Sequence, residues 1–276
     1  MKIGRIFPRK TSMSPIDKDC YFGYPPLGCP QYEEIHISVC FTWDIPKIDM
    51  LAKQWLGYGK KMRVHGPALD NPGKTFTPGK YLKQGVTITS RGCPNNCLWC
   101  FVPKREGKIR ELPIQSGHIV QDNNLLACSK EHIRKVFEML RKQRAIDFAG
   151  GFEADRVTDS VIEDLRSLAI SQIWVSYDHP NHYKATQRAI ERLRRYFKRD
   201  KVRCYVLIGY KGDTLDKAEG RLKQAWEMGA LPFAMRYRPP ELNWNDTFLY
   251  KERAWNLLTR QWTRPAIIKS IMAGTL

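Results

Sequence analysis

The sequence lacks any apolar run that approaches the roughly 18 residues of a membrane span. It also lacks an apolar core behind its first charged residues, so its start does not resemble a secretory signal. We therefore expect a cytoplasmic protein with no membrane partner. In a reducing compartment, its eight cysteines favour a metal site over disulfides.

Acidic residues are scarce in this chain. Its 276 residues include 28 Asp and Glu against 46 Lys and Arg, which gives a formal net charge of +18. Such an excess of basic charge favours a polyanionic partner, and a nucleic acid or nucleotide is the first candidate substrate. Basic charge also serves solubility, so composition alone does not decide between these interpretations.

The most informative stretch of the chain covers residues 86–101. Four β-branched residues at 86–89 predict a buried strand, and Gly92 with the Pro-Asn-Asn at 94–96 predicts an irregular loop directly after it. This loop carries Cys93, Cys97 and Cys100 in C-x3-C-x2-C spacing. Thiolates are soft ligands for zinc, copper(I) or iron–sulfur clusters, and a structural zinc site takes four protein ligands, one more than this loop provides.

The loop resembles the cluster-binding motif of the radical S-adenosylmethionine (SAM) superfamily. The resemblance implies a [4Fe-4S] cluster held by Cys93, Cys97 and Cys100, with SAM on the open iron and Trp99 near the SAM adenine. An electron from the cluster would cleave SAM to methionine and a 5′-deoxyadenosyl radical. Two other interpretations stay open: a zinc site completed by a distant Cys or His, and three unliganded buried thiols.

From residue 83 onward, short apolar strands alternate with amphipathic helices, a pattern typical of βα units around a parallel sheet. The predicted strands are residues 85–89, 118–121, 145–149, 172–177, 203–209 and 233–237. The predicted helices are residues 129–143, 158–169, 182–197 and 215–228. With the resemblance, these elements imply an α/β fold built on a partial (β/α)6 barrel, with its chemistry at the carboxyl ends of the strands. Residues 101–117 are rich in Pro and Gly, so we expect a short or missing first helix, which would leave room for a bulky substrate.

The predicted strand ends carry polar residues that the resemblance places near SAM. Asp122, Asn123 and Asn124 could accept hydrogen bonds from its ammonium group, although a polar turn before a helix capped by Ser129 explains them equally well. The other predicted contacts fall into three groups. Gly150 and Gly151 allow close approach of the backbone to a ligand, and Glu153, Ser176 and Asp178 are polar residues for a carboxylate or ribose. Ile208 and Gly209 belong to a partial strand-five motif.

The remaining segments give weaker signals. Residues 1–80 predict a shortened Rossmann-like α/β segment with strands at 2–7, 34–42 and 61–64 and a helix at 46–56. The segment holds the position of a cobalamin-binding domain in some radical SAM enzymes but lacks their Asp-x-His-x-x-Gly motif. Its Cys20, Cys29 and Cys40 are either packing residues or an auxiliary metal site.

The predicted barrel covers residues 81–238, and residues 239–276 predict a helical tail whose tryptophans either pack on the barrel or stack bases.

The resemblance implies a radical SAM enzyme whose 5′-deoxyadenosyl radical abstracts hydrogen from a substrate, with a separate reductase as electron donor. Because of the net charge, the first candidate substrate is a nucleobase or nucleic acid, and the second is a peptide or small metabolite.

Phosphate contacts could come from Arg236 and Arg238 with the basic residues at 104–110, whereas the basic run at 188–203 on an outer helix is more simply a solvated face. A metal-stabilised nucleic-acid-binding protein without catalysis is the alternative from another class. The region also resembles uncharacterised radical SAM proteins encoded by phages and prophages, which implies no substrate, and these patterns leave the oligomeric state open.

Overall fold

The computed structural model describes residues 2–71, 73, 75–239 and 249–275, with residues 249–252 described by backbone alone. The chain divides into two compact units. Unit 1 comprises Met1–Val86 and Lys104–Glu106, and unit 2 comprises Thr87–Pro103 and Gly107–Leu276.

Unit 1 is a small α/β unit built on four parallel strands. The strands are β1 (Ile3–Phe7), β2 (Cys20–Phe22), β3 (Tyr32–Ser38) and β4 (Gly59–His65), in the spatial order β2-β1-β3-β4. Alternate residues of β3 point to one face, where Ile35 and Ile37 share an apolar cluster with Leu51 and Trp55. Leu51 lies on helix α1 (Ile48–Gln54), so this helix covers one face of the sheet.

Three details of unit 1 differ from the sequence prediction. Strand β2 lies in a turn-rich stretch that showed no strand pattern. Strand β3 ends at Ser38, and not at residue 42, because the chain turns into a 3-10 helix at Thr42–Lys47. That helix precedes α1 because Pro46 has no backbone N–H to donate and buried Asp44 pairs with Arg9 at 2.6 Å.

The second face of the unit 1 sheet is polar, although parallel sheets are usually apolar on both faces. Buried His36 lies between two partners, with Nε2 at 2.7 Å from Glu34 Oε2 and Nδ1 at 2.5 Å from Tyr81 Oη. Arg63 donates to the same Glu34 carboxylate at 3.1 Å. The ring of His65 packs edge-on against Tyr81, with 4.7 Å between centroids. The network satisfies the buried charges of this face.

We expect the stability of unit 1 to fall as the pH drops below neutrality because of His65. Burial, aided by electrostatic interactions with His36, Lys80 and Arg63, lowers the pKa of His65 from 6.5 to about 4. The unfolded chain therefore takes up a proton at a higher pH than the folded chain, and the free energy of unfolding should decrease as pH falls from 6.5 toward 4. Hydrogen-exchange mass spectrometry of peptides covering β3 and β4, from pH 7 to pH 5, measures this change.

His65→Gln is the control, because a neutral amide cannot take up the proton. The variant should show a flatter pH dependence than the wild type in the same peptides. The range stays above pH 5 because hydrogen bonds from His36 and Arg63 lower the pKa of Glu34 from 4.5, so Glu34 titrates below the window. Identical slopes for wild type and variant would contradict the assignment to His65.

Unit 2 is built on a six-stranded sheet. Its strands are β5 (Val86–Thr87), β8 (Ile119–Val120), β9 (Ile146–Phe152), β10 (Ile170–Tyr177), β11 (Val202–Ile208) and β12 (Leu231–Arg236). Strands that follow one another in this series also lie next to one another in the sheet, and β8 through β12 pair in parallel. The predicted α/β fold with parallel strands is therefore confirmed.

Helices follow the strands as the sequence predicted. They are α3 (Lys130–Leu140), α4 (Asp159–Arg166), α5 (Tyr183–Arg194) and α6 (Leu215–Glu227). Ser129, Thr158 and Thr214 each accept a hydrogen bond from the first turn of the following helix. Helix α2 (Val102–Glu106) has five residues, so the prediction of a short first helix is confirmed.

The two faces of the unit 2 sheet differ in character. Along β11, Val202, Cys204 and Val206 are fully buried in a core that includes residues of all four of these helices. The alternate side chains face the other way and are partly exposed. On that second face the rings of Trp174 and Tyr205 stack with centroids 4.2 Å apart.

Two helices close the described part of the chain, α7 (Leu249–Gln261) and α8 (Pro265–Met272). Trp262 and Ile268 are fully buried in the unit 2 core, and the Trp262 carbonyl accepts a hydrogen bond from the Ala234 N–H at 3.1 Å. The interpretation of the tail as core is confirmed for Trp262, whereas the predicted Ile267 is only partly buried and its neighbour Ile268 is buried instead. Trp244 and Phe248 lie outside the described residues. Among the residues described, none of the helices has the length and apolar character needed to cross a bilayer.

Candidate functional site

A short antiparallel pair carries the three clustered cysteines. Strand β6 (Ser90–Arg91) pairs with β7 (Arg110–Glu111), and we call this pair the neck and residues 92–103 the cysteine loop. The Cys93 N–H donates to the Gly107 carbonyl at 3.1 Å. Gly92 has φ +84°, and a Cβ there would lie 2.2 Å from the Lys108 carbonyl oxygen, so only glycine fits where the two sides of the neck approach.

Asp122 holds the start of the neck through hydrogen bonds to Thr89 and Ser90. Its carboxylate is 2% exposed and accepts hydrogen bonds from the Thr89 N–H at 2.6 Å, the Thr89 hydroxyl at 2.5 Å and the Ser90 hydroxyl at 2.9 Å. Burial raises the pKa of Asp122 even though these bonds favour its charged form. Its neighbour Asn123 accepts a hydrogen bond from the Gly92 N–H at 2.9 Å. Both residues therefore position the cysteine loop.

The cysteines lie among acidic side chains. Burial raises the pKa of the Cys97 thiol to about 11, and the nearby Cys100, Asp178, Cys93 and Glu153 add to the shift. All three cysteines are partly exposed. A cation bound at such a group of acids would favour their deprotonated forms and reverse this shift.

Asn124 links the cysteine loop to the end of β9. Its side-chain amide, 4% exposed, donates to Cys93 Sγ at 3.4 Å and to Glu153 Oε2 at 2.7 Å. Burial raises the pKa of Glu153, but bonds from Asn124, Asn95 and Arg156 outweigh it, so the pKa lies below its usual value. Oδ1 of Asn124 is buried and has no hydrogen-bond partner among the described residues. A buried acceptor without a partner is costly, so this atom favours a ligand that donates to it.

Trp99 ties the cysteine loop to the ends of β10 and β11. Its side chain donates to Asp178, while burial raises the pKa of that carboxyl. The Trp99 ring stacks on His179 with an interplanar angle of 3° and 5.9 Å between centroids, and it meets Tyr210 edge-on at 5.8 Å. His182 packs 6.0 Å from the same ring. Residues that follow two strands, β10 and β11, thus hold Trp99 in place.

Other predicted contacts have structural roles in the described chain. The Ile208 side chain is fully buried on the helix side of the sheet. The Gly209 N–H donates to Asp213 Oδ2 at 2.8 Å within its own turn. A Cβ on Gly150 would lie 2.0 Å from the Asp122 carbonyl oxygen, so this glycine allows close packing of two strand ends. Gly151 approaches the Tyr205 ring, and the Ser176 carbonyl accepts a hydrogen bond from Thr186.

Much of the basic run at 188–203 is engaged within the chain. Arg192 pairs with Asp159 at 3.1 Å, and Arg188 lies 3.6 Å from Asp155. The guanidinium groups of Arg199 and Arg203 lie over the rings of Trp226 and Trp174. These contacts support the interpretation of this run as a structural, solvated face.

Sequence reasoning missed several residues of the site. Thr89 and Ser90 hold Asp122, and His179, His182 and Tyr210 surround Trp99. Their positions were the available signal, because each residue lies at the end of a predicted strand or within five residues after it, where ligand-binding groups of parallel sheets collect. His132 was also missed. It lies on helix α3, and its Nε2 is 3.3 Å from the Thr89 hydroxyl.

Across the described residues, no three or more His, Cys, Asp or Glu side chains are arranged to hold a metal ion. The same finding applies to Cys20, Cys29 and Cys40. The Cys20 thiol donates to the Pro15 carbonyl at 3.1 Å, and burial raises the pKa of Cys20 and of Cys40.

No protein-family model matches the chain, and no curated protein matches it either.

Proposed function

We propose that this protein is a radical SAM enzyme and that its six-stranded sheet is the partial (β/α)6 barrel of that superfamily. The observation that carries the proposal is the position of the C-x3-C-x2-C loop. The loop follows β5, the edge strand of a sheet whose strands run in sequence order, with only residues 88–91 between them. Asn124, Glu153 and Asp178 from later strand ends contact the loop or lie close to it.

The chemistry of the three thiols, although not their arrangement in the structure, fits a [4Fe-4S] cluster. Cys93, Cys97 and Cys100 would hold the cluster through three thiolates, the ligand type that iron–sulfur clusters take. When bound, the cluster supplies the electron that cleaves SAM and starts radical chemistry. The chain's own contribution is to carry the three thiols on one loop that is closed at the neck by the Cys93 to Gly107 hydrogen bond.

SAM has partners for both of its ends in this site. The orphaned Asn124 Oδ1 and the Glu153 carboxylate would accept hydrogen bonds from its ammonium group, and Arg156, 2.6 Å from Glu153, would pair with its carboxylate. Trp99 and Tyr210 offer aromatic surface for the adenine, and Asp178 offers an acceptor for a ribose hydroxyl. Asp122 and Gly150 would act through the shape of the loop and not by touching SAM.

A nucleobase or nucleic acid is our first candidate substrate. The chain carries a net charge of +18, which favours a polyanionic partner. If the substrate is a polynucleotide, binding should weaken steeply with added salt. A peptide or small metabolite would show little such dependence. We place the reaction in the cytoplasm, with a reductase as electron donor.

Anaerobic reconstitution with iron and sulfide tests the proposal. Wild-type protein should become brown, hold the iron of one cluster per chain, and form 5′-deoxyadenosine from SAM when dithionite is added. Cys97→Ala should hold little iron and form none of the product, because one of the three predicted ligands is missing. Iron analysis, electron paramagnetic resonance of the reduced sample and mass spectrometry of the SAM products measure these outcomes.

Cys29→Ala is the matched control, since Cys29 is also a partly exposed thiol but belongs to unit 1. It should behave like the wild type in all three measurements. A colourless protein that holds zinc and does not respond to SAM would overturn the proposal. It would favour a metal-stabilised nucleic-acid-binding protein instead.

A further inference from the structure

The amino-terminal edge of the unit 2 sheet is strongly basic. Strands β9 to β12 pair in parallel, so the segments that precede them meet at the edge opposite the one that carries Glu153, Asp178 and Tyr210. We call this surface the basic edge, and its segments are residues 141–145, 166–169, 194–201 and 228–230. They contain nine Lys and Arg but one acidic residue, Asp200, which pairs with Lys269 at 3.0 Å.

Side-chain contacts join the first three segments of the basic edge. The Arg141 Nε–H donates to the Ser167 hydroxyl at 3.2 Å, which links the segment before β9 to the segment before β10. The Arg166 guanidinium lies 4.3 Å from the centroid of the Tyr196 ring, which links the segments before β10 and β11. These basic side chains therefore belong to one continuous surface, although they are far apart in sequence.

The last segment joins the same surface. The Arg199 guanidinium lies 4.0 Å from the centroid of the Trp226 ring at the end of α6. A Cβ on Gly229 would lie 3.2 Å from Arg194 Nε, so the two segments before β11 and β12 touch. Neighbouring strands of a sheet lie about 4.8 Å apart, so the starts of four strands span about 15 Å.

The ends of the helices explain only part of this charge. Basic residues in the last turn of a helix stabilise its partial negative charge, but the effect falls off within that turn. Helix α3 ends at Leu140 and α5 ends at Arg194, so Lys142, Arg144 and Lys198 lie past the helix ends, where all three are exposed. Like charges gathered in this way repel one another, so the basic edge favours an anionic partner.

Arg199 shows what this gathering of charge costs the protein. Its Nη1 is buried and has no hydrogen-bond partner among the described residues. Burial and the nearby Arg194 lower the pKa of Arg199, although Asp200 opposes the shift. A buried donor without an acceptor is costly, so this atom favours an anion that accepts from it. A phosphate group is suited to this role, because its oxygens match the planar fork of a guanidinium.

The other side chains of the basic edge indicate which kind of polyanion it fits. Membrane surfaces and protein partners are bound through inserted or buried apolar residues, and single-stranded nucleic acids through stacked aromatic rings. Within these four segments, all of which the structure describes, Tyr196 is the one exposed large apolar side chain, and Arg166 lies over its ring. A duplex needs no such anchor, because Lys and Arg contacts to its phosphates supply sequence-independent binding.

We propose that the basic edge binds the phosphate backbone of a nucleic-acid duplex. Duplex DNA carries one charge per about 1.7 Å of its axis, so about 15 Å of basic surface would face a stretch that carries about nine charges. Arg188 and Arg192, which pair with acidic residues, lie within α5 and outside this surface. The basic edge would anchor a long polymer away from the cysteine loop. The inference goes beyond the proposed function and holds whether or not that loop carries a cluster.

Fluorescence anisotropy with a labelled DNA duplex of about 20 base pairs tests the proposal. The test variant replaces four exposed residues of the basic edge by glutamine: Lys142→Gln, Arg144→Gln, Arg195→Gln and Lys198→Gln. It should weaken binding about tenfold or more in about 0.1 M KCl. It should also lower the slope of log K against log[salt] by about 2 to 4, since each phosphate contact contributes about 0.9 to that slope.

The matched control removes the same charge from exposed lysines of unit 1: Lys18→Gln, Lys53→Gln, Lys60→Gln and Lys61→Gln. It should change the dissociation constant by less than about threefold. Both variants should keep the wild-type urea midpoint, because every replaced side chain is exposed. Equal weakening in the two variants would overturn the proposal, since net charge alone would then account for binding.

Acetylation of the wild-type protein, with and without the duplex, gives a test that needs no variant. Lys142 and Lys198 should be protected by the duplex, while Lys60 and Lys61 should keep their reactivity. Absence of that protection would overturn the proposal, and so would tighter binding of a single strand of the same length or of poly-glutamate of the same charge. A protein that holds no cluster but passes these tests would overturn the proposed function alone.

Discussion

Asp122→Ala should destabilise unit 2 by about 3 to 5 kcal/mol, the cost expected when a buried, hydrogen-bonded charge is removed and its partners are left unpaired. The Thr89 N–H and the Thr89 and Ser90 hydroxyls all donate to this carboxylate, and both residues are 0% exposed. Alanine offers no acceptor to any of the three donors. A lower urea midpoint and faster hydrogen exchange in peptides covering residues 86–100 would measure the loss.

Asp122→Asn separates the hydrogen bonds from the charge. The amide has the shape of the carboxylate, its oxygen can accept from the Thr89 N–H, and the Thr89 and Ser90 hydroxyls can rotate to accept from its nitrogen. Because burial raises the pKa of Asp122, the neutral amide also avoids the cost of a buried charge. We expect less than half of the alanine effect. An alanine variant with the wild-type urea midpoint would contradict the role assigned to Asp122.

Periodicity predicted the regular parts of unit 2 because its elements repeat a simple pattern. Helices α3 to α6 all lie within the predicted ranges, and Ser129 caps α3 as the sequence indicated. Strand β10 begins at Ile170, two residues before the prediction, because Ile170 pairs with Ile146 at the start of the neighbouring strand. Such boundaries depend on the partner strand and not on local sequence.

The neck could not be predicted from local sequence. Strands β6 and β7 have two residues each, too few to show alternation, and the segment between them is a cysteine loop and a short helix. Gly92 was recognised as a loop residue, but its close approach to Lys108 is a contact between distant positions. The same holds for Asp122, whose polar turn gave no sign that Thr89 and Ser90 would occupy its carboxylate.

Gly92→Ala should open the neck and destabilise the cysteine loop. Alanine at φ +84° costs about 1 to 2 kcal/mol in the backbone alone. In addition, its Cβ would lie 2.2 Å from the Lys108 carbonyl oxygen, so the two sides of the neck must separate and the Cys93 to Gly107 hydrogen bond should break. We expect faster hydrogen exchange in peptides covering residues 90–111 and, if the proposed function holds, a large loss of iron on reconstitution.

Gly107→Ala isolates the backbone cost from the steric clash. Gly107 also has a positive φ, +73°, but a Cβ there would meet no atom within 4 Å. Because Gly107 also has ψ −150°, a region that side chains other than glycine rarely adopt, this variant should lose about 1 to 3 kcal/mol from the backbone and should keep the neck closed. Similar exchange rates in the two variants would mean that strain at positive φ accounts for the whole effect. A clear excess in Gly92→Ala would instead show that contact across the neck holds the three cysteines together, because only that glycine lies against the opposite strand.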